Sequence, residues 1–370
     1  LYYFQYRDSL NRKRVIYRKD LMALRKIEAE VNKDLADNIR TYEADHMTIN
    51  DGFERYMSIK YEIKPSTRAG YIATYIRYVR DTIGRRLLKD IKYSDIKEFY
   101  SYLLEERNLS ISTVNSVHTL LHPVFSMAVR DDIVRKNPTD DIMKELCGSW
   151  TYEKKERVVL PREQAIALLD FVESHPIFYH WLTILTVLIG TGMRICELCG
   201  LRWVDADLKK REISINHHIV YKRWVGDTKT RLHVLTPKTK KGCRIIPMHD
   251  EVYNALQAEY AYQSVTGFCT AEVEGWSGFI FKNRYGGAYH EGPINRAIHR
   301  VVNHYNEEEQ RKAKKEKREP NLIPDFSTHD MRHTFCTRFH ECGPDDKALQ
   351  EIMGHSDFET TRNTYTHSSN

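Results

Sequence analysis

The sequence lacks any long apolar run. Among its 370 residues the longest candidate, residues 181–190, is much shorter than the roughly 18 to 20 apolar residues that a membrane-spanning helix needs. We therefore expect no membrane association and interpret this run as a buried helix. The hydrophobic fraction of 41% is instead typical of globular domains with ordinary cores. A chain of this length is expected to form two or three domains.

Cysteine is scarce and has no framework spacing. An odd total of seven favours free thiols in a reducing cytosol. Cys196 and Cys199 form a C-x-x-C pair, but no second such pair exists to complete a four-ligand zinc site. We therefore expect no structural zinc. A solenoid repeat and an acidic cluster with metal-binding spacing are also missing from the sequence.

The chain opens on Leu1 rather than Met, and residues 1–6 lack the regions that define a signal peptide. We expect the numbering to begin inside a longer natural chain.

Positive charge is present in modest excess, with a net charge of +6 and clusters at residues 12–14, 77–86, 238–244 and 311–318. Tyrosines lie among them, as at Tyr71, Tyr75 and Tyr78. Basic and aromatic groups together suit contacts to phosphates and sugars, whereas a solvated helix face explains any single cluster equally well.

Three blocks follow from the patterning. In residues 1–46, two short alternating runs around Phe4 and Ile16 predict a β-hairpin, and apolar spacing from Leu21 to Leu35 predicts one helix. Residues 47–140 read as four helices, starting near Thr48, Pro65, Ser94 and Ser112.

A polar linker is predicted at residues 141–157, and residues 158–370 form the third block. Helices flank a β region at residues 212–247, which predicts an α+β domain. The predicted fold class is thus multidomain and mainly α, with small β parts.

Four stretches of the third block contain residues suited to phosphate chemistry. They are TGMRICEL at 191–198, TPKT at 236–239, HDMRHT at 329–334, and GHSD at 354–357 followed by TYTH at 364–367. A phosphodiester under attack gains negative charge on its nonbridging oxygens, which planar guanidinium groups such as Arg194 and Arg332 stabilise well. A tyrosine hydroxyl, with a reference pKa of about 10, needs a neighbouring group to become a nucleophile.

In this order the stretches resemble the tyrosine recombinase family, which includes phage integrases and Xer-type recombinases. The first block and residues 305–333 are similar to the integrases of conjugative transposons. The resemblance implies a site-specific DNA recombinase that integrates and excises a mobile element through a 3′-phosphotyrosine. Its catalytic residues would be Arg194, Lys238, His329, Arg332, His355 and Tyr365.

The resemblance also implies roles for the three blocks. Residues 1–46 would bind arm-type DNA sites, residues 47–140 core sites, and residues 158–370 would carry the chemistry. The candidate DNA-binding residues are Arg12, Lys13, Arg14, Arg68, Arg77, Lys240 and Lys241. Implied partners are double-stranded DNA, a homo-tetramer on that DNA, an excisionase and a host DNA-bending protein, in the bacterial cytosol and without a cofactor.

Three alternatives stay open at this point. Lys240 and Lys241 share the predicted turn with Lys238, so the sequence alone does not decide which lysine donates a proton. A DNA-binding regulator on a degenerate recombinase scaffold would lack a motif residue, and none is missing. A type IB topoisomerase shares the chemistry, but the small N-terminal block disfavours it.

Overall fold

The computed structural model describes residues 1–8, 11–36, 41–149, 158–224, 226–237, 242–343 and 346–354. The chain divides into two compact units. The first comprises Leu1–Lys154 with Trp224–Asp227, and the second comprises Lys155–Arg223 with Thr228–Asn370. Within the described residues, no helix is both long and apolar enough to cross a membrane.

The first unit opens with the predicted hairpin. Strands β1 (Tyr2–Arg7) and β2 (Lys13–Arg18) pair antiparallel, from Tyr2 opposite Arg18 to Arg7 opposite Lys13. Helix α1 (Leu21–Ala36) follows and buries Leu24 and Val31. The hairpin and the helix expected from the alternation of apolar residues are both confirmed.

The rest of the first unit is helical and shares one core. Its helices are α2 (Thr41–His46), α3 (Ile49–Ile59), α4 (Pro65–Tyr78), α5 (Tyr93–Glu105), α6 (Ile111–Arg130) and α7 (Ile142–Ser149). The core contains large side chains from several of them, such as Ile49, Tyr100 and Phe125.

The helix starts follow from local capping. Thr48 caps α3 as predicted, because its hydroxyl accepts from the Asp51 backbone N–H while the Asp51 carboxylate accepts from the Thr48 backbone. The fourth helix does not begin at Ser112 as predicted, because its N-cap lies two residues earlier. Ser110 is the N-cap of α6, and its side chain accepts from the Thr113 N–H.

The linker predicted at residues 141–157 is also wrong for residues 142–149. These residues form α7, and its Ile142 and Leu146 side chains are buried in the core of the first unit. Two apolar residues spaced by one helical turn are enough to dock a short helix, even where the composition is polar. Residues 150–157 lie outside the described part of the chain.

The second unit is a helical domain with two small sheets. Its helices are α8 (Arg162–Ser174), α9 (Leu182–Thr191), α10 (Ile195–Gly200), α11 (Asp250–Thr266), α12 (Glu291–Glu316), α13 (Thr328–Glu341) and α14 (Asp346–Met353). The apolar helix α9 lies in the main core, as expected for the run at residues 181–190.

The β region at residues 212–247 is confirmed. It contains β4 (Glu212–Ile215), β5 (His218–Lys222), β6 (Arg231–Leu235) and β7 (Arg244–Pro247), and the short strand β3 (Ala206–Asp207) precedes it. One sheet has the order β3-β4-β7, and β5 pairs with β6 as a hairpin. The predicted lysine turn falls between β6 and β7 on residues 238–241, which lie outside the described residues, and β7 begins at Arg244.

We predict that Leu146→Ala weakens the first unit by about 2–5 kcal/mol, because the truncation leaves a cavity where α7 meets the core. The measurement is urea unfolding followed by far-UV circular dichroism. Lys144→Ala on the exposed side of the same helix is the control, and its free energy of unfolding should change by no more than about 0.5 kcal/mol. Equal and small effects of both variants would mean that α7 does not belong to the core.

Candidate active site

Arg194 lies at the turn between two helices. Helix α9 ends at Gly192, which adopts a left-handed conformation with φ of 60°, and Arg194 is the N-cap residue of α10. Glycine is required at 192 for a second reason, since a Cβ there would overlap the Phe335 ring of α13. This close approach brings the end of α9 against α13, and the Arg194 side chain, two residues after Gly192, stays 43% exposed.

A buried carboxylate, Glu197, holds the Arg194 side chain. Arg194 donates to it twice, from its backbone N–H to Oε2 and from Nη1 to Oε1, both at 2.9 Å. Arg244 of β7 donates to the same two oxygens in a bidentate fork, Nη1 to Oε1 at 2.9 Å and Nη2 to Oε2 at 2.7 Å. Burial alone would raise the pKa of Glu197, but the hydrogen bonds and charges of Arg244 and Arg194 lower it to about 2. Glu197 is therefore ionised at neutral pH.

Arg332 lies deeper, on α13. Its Nη1 donates to the Gly192 carbonyl at 2.7 Å and its Nη2 to the Met353 carbonyl at 2.6 Å. Burial, with the nearby positive charges of Arg194 and Arg244, lowers the pKa of Arg332 to about 9. The guanidinium thus remains charged at pH 7 while it connects the end of α9 to the end of α14.

These four side chains form one charge cluster, defined as Arg194, Glu197, Arg244 and Arg332. Three positive groups and one negative group leave two net positive charges. Electrostatic interactions gain strength where water is excluded, so a partly buried excess of positive charge attracts an anion strongly. The cluster is suited to holding a phosphate and to stabilising added negative charge on it.

His329 lies on α13 three residues before Arg332, and its side chain is exposed. Its ring meets the ring of His333 edge to face, with 4.6 Å between centroids. The Ser327 and Asp330 capping box begins the helix at this point and fixes the first turn that carries His329.

Of the six predicted catalytic residues, the structure brings Arg194 and Arg332 into the cluster and places His329 on the same helix as Arg332. Lys238, His355 and Tyr365 lie outside the described residues, as do Lys240 and Lys241. The described chain reaches Pro237 before the lysine turn, resumes at Gly242 after it, and ends at Gly354.

Two residues of the cluster were not predicted from sequence. Glu197 carries a weak signal, since an acidic residue three positions after an N-cap indicates a capping interaction. Arg244 ends the basic cluster at residues 238–244, but nothing in the sequence distinguishes it from the other cations of that cluster.

The basic residues of the hairpin have local partners. The buried Asp8 carboxylate accepts from Arg14 Nε at 3.0 Å and from the Arg12 backbone N–H at 2.8 Å. The Arg12 and Lys13 side chains are exposed. Arg14 therefore stabilises the hairpin, and Arg12 Nε also lies 3.5 Å from Asp8 Oδ2, while the Arg12 and Lys13 side chains remain accessible to a ligand.

Arg68 and Arg77 point to opposite faces of α4. They are nine residues apart, and at about 100° per residue this spacing puts them half a turn out of phase. Arg68 is half-buried and aligns with the core residue Tyr75, while Arg77 is exposed and lies near the Tyr78 ring. Only Arg77 is on the solvent face.

The chain matches two family models. Residues 158–370 match the phage integrase family, and residues 48–145 match the phage integrase SAM-like domain. The transposase from transposon Tn916 of Enterococcus faecalis is 30% identical over 381 residues, covering 99% of this chain and 88% of the relative. A XerC-like tyrosine recombinase of Caldanaerobacter subterraneus is 23% identical, covering 95% of this chain and 88% of the relative.

Solved structures give the same picture. An integrase of transposon Tn1549, in complex with transposon right-end DNA, superposes with a TM-score of 0.75 at 30% identity, covering 86% of this chain and 95% of that one. A lambda integrase tetramer bound to a Holliday junction gives a TM-score of 0.60 at 18% identity, covering 100% of this chain and 93% of that one, and supports the fold.

We predict that Gly192→Ala destabilises the second unit by about 2–4 kcal/mol, because a side chain is strained at this φ and also meets the Phe335 ring. Thermal unfolding checks this. Gly343→Ala is the matched control, since Gly343 also has a positive φ of 77° but open space around it, and should cost about 1 kcal/mol. Similar losses in the two variants would rule out a tight contact between the α9 turn and α13.

Proposed function

This chain belongs to the phage integrase family of tyrosine recombinases, and we propose that it cuts and rejoins DNA at specific sites through a covalent link to Tyr365. The observation that carries the proposal is the convergence of Arg194 and Arg332 in one charge cluster beside Gly354, the residue before His355. Tyr365 follows ten residues later.

The proposed cleavage step is a phosphoryl transfer. The Tyr365 hydroxyl oxygen attacks the scissile phosphorus, the bond from phosphorus to the 5′-oxygen breaks, and a 3′-phosphotyrosine forms. His329 accepts or orients the tyrosine proton, and Lys238 protonates the departing 5′-oxygen as a general acid. Arg194, Arg332 and His355 bind the nonbridging oxygens.

Rejoining uses the stored phosphotyrosine bond. The 5′-hydroxyl of another strand attacks the phosphorus and releases Tyr365, so the cycle needs no ATP. We propose no cofactor, because the guanidinium groups supply the positive charge that a metal ion supplies in other phosphoryl-transfer enzymes.

The domain roles are part of the proposal. The hairpin and α1, within residues 1–46, would bind distal arm sites, with Arg12 and Lys13 as accessible cations. The helical domain, with Arg77 on its exposed face, would bind the core site. Residues 158–370 would bind the same site, so that the two domains together enclose the DNA. Two linked modules of modest affinity then act together on one DNA.

We further propose that the substrate is the set of ends of a conjugative transposon. The similarity to the transposase from transposon Tn916 across 99% of this chain supports it. An excisionase and a host DNA-bending protein would set the direction of the reaction, because arm and core sites on one duplex meet only when that duplex bends.

We predict a metal-independent covalent adduct. The protein is mixed in EDTA with supercoiled plasmid carrying the joined ends of the element that encodes it, then quenched with detergent. Wild type should yield protein-linked DNA, and Tyr365→Phe should yield none, because it lacks the nucleophilic oxygen. Tyr285→Phe, at a well-exposed tyrosine of the second unit, is the matched control and should react like wild type.

Other outcomes have distinct meanings. Tight binding without any adduct would favour a DNA-binding regulator, and an adduct that survives Tyr365→Phe would identify another tyrosine as the nucleophile. Relaxation of plasmids that lack element ends, without strand exchange, would favour a topoisomerase.

We predict a tetramer on DNA, on the strength of the family resemblance. Sedimentation of the protein with paired core-site duplexes should give a species of four subunits, and duplexes of scrambled sequence should not. Observation of single-subunit complexes alone, at concentrations that saturate the DNA, would contradict this.

A further inference from the structure

Arg244 is a buried cation of the charge cluster, and the proposed chemistry gives it no role. Its side chain is 5% exposed, and all of its described hydrogen bonds go to other elements of the second unit. The two Nη atoms bind Glu197 of α10, and Nε donates to the Ile352 carbonyl of α14 at 2.6 Å. A strand residue thus connects two helices.

The contacts to Glu197 bear on the charge of Arg194. Glu197 Oε1 accepts from Nη1 of both arginines at 2.9 Å, so the two guanidinium groups share one carboxylate. Without Arg244, Arg194 would be the one described cation that is hydrogen-bonded to the buried Glu197 carboxylate. The pair would then be close to neutral, and the positive charge available to a phosphate would fall by one unit.

The contact to Ile352 bears on the end of α14. The carbonyls of Ile352 and Met353 are taken by Arg244 and Arg332, which places two cations at the negative end of the helix dipole. Gly354 follows with φ of 62°, and a Cβ there would come within 3.0 Å of Arg244 Cδ. The geometry fixes where the chain leaves α14, one residue before His355.

We propose that Arg244 is a positioning residue for strand cleavage. It neutralises Glu197, so that the charge of Arg194 is directed to the scissile phosphate, and it sets the end of α14 from which the chain continues to His355. The proposal rests on the recombinase function argued above, and in it Arg244 acts on the DNA through Arg194 and His355 without contacting the DNA itself.

A purely structural ion pair is the competing explanation. Loss of one partner of a buried pair destabilises a protein whatever the other partner does. The two explanations differ in the effect of removing the Glu197 charge as well. If Arg244 works by neutralising Glu197, Glu197→Gln should restore much of the activity that an Arg244 variant loses.

The experiment measures adduct formation on the element-end plasmid at saturating DNA, the dissociation constant for that DNA, and the thermal midpoint. Arg244→Met should slow adduct formation about 10- to 100-fold, somewhat less than loss of a direct oxyanion donor. The dissociation constant should change less than threefold, because many other phosphate contacts hold the DNA. The double variant with Glu197→Gln should be several-fold faster than Arg244→Met.

Arg244→Lys keeps the charge but loses the fork, and should fall between wild type and Arg244→Met. It also keeps the test decisive if Arg244→Met does not fold. Arg202→Met is the matched control, since Arg202 forms a fork to the buried Asp205 in the same unit and covers the Trp276 ring. It should lower the thermal midpoint without slowing adduct formation.

Three results would overturn the proposal. They are an Arg244→Met rate equal to wild type, a double variant no faster than Arg244→Met, and an Arg202→Met variant slowed as much as Arg244→Met. Failure of the recombinase function would look different, because wild type itself would then form no adduct.

Discussion

The second unit depends on one constraint, the burial of the Glu197 carboxylate. An isolated charge with so little water contact would be costly, and its ionised form persists because two guanidinium groups and a backbone N–H surround it. Those donors come from the start of α10 and from β7, so the sheet and the helices must meet at this point. Arg244 then reaches α14, and Arg332 connects α14 with the turn after α9. The carboxylate thus links α10 and β7 directly, and the neighbouring arginines link this point to α14, α13 and the end of α9.

The parts of the fold that could be predicted are those set by interactions between residues close in sequence. The hairpin and α1 followed from side-chain periodicity, and Thr48 was identified because its capping box is complete within four residues. The prediction named Ser112, whereas the N-cap is Ser110; both are good capping residues, and the backbone geometry selects between them. Helix α7 was missed because two buried residues in a polar segment give a weak signal. Its docking depends on the core that other helices provide.

The site residues also fall into those that local motifs reveal and those that only the tertiary structure brings together. Arg194, His329 and Arg332 were identified from short motifs, and the structure supports their grouping through Arg332 and Gly192. Glu197 and Arg244 are distant in sequence, and their pairing arises from the tertiary structure alone. Arg68 and Arg77 are alike in composition, but the phase of α4 leaves Arg68 half-buried and Arg77 exposed.

The three guanidinium groups of the cluster differ in how their donors are used. Arg332 is committed to two backbone carbonyls and Arg244 to a carboxylate and a carbonyl, whereas Arg194 keeps 43% of its side chain exposed. Lysine could not replace the two buried arginines, because a single ammonium cannot span partners on separate elements with a planar fork. Three guanidinium groups surround one carboxylate in the cluster, and burial together with the charges of Arg194 and Arg244 lowers the pKa of Arg332. A bound phosphate would relieve that repulsion, so binding of DNA and stability of the site are coupled through the same few charges. Within its described residues, the site thus has an excess of positive charge that an anionic ligand would offset, which supports the proposed phosphate chemistry.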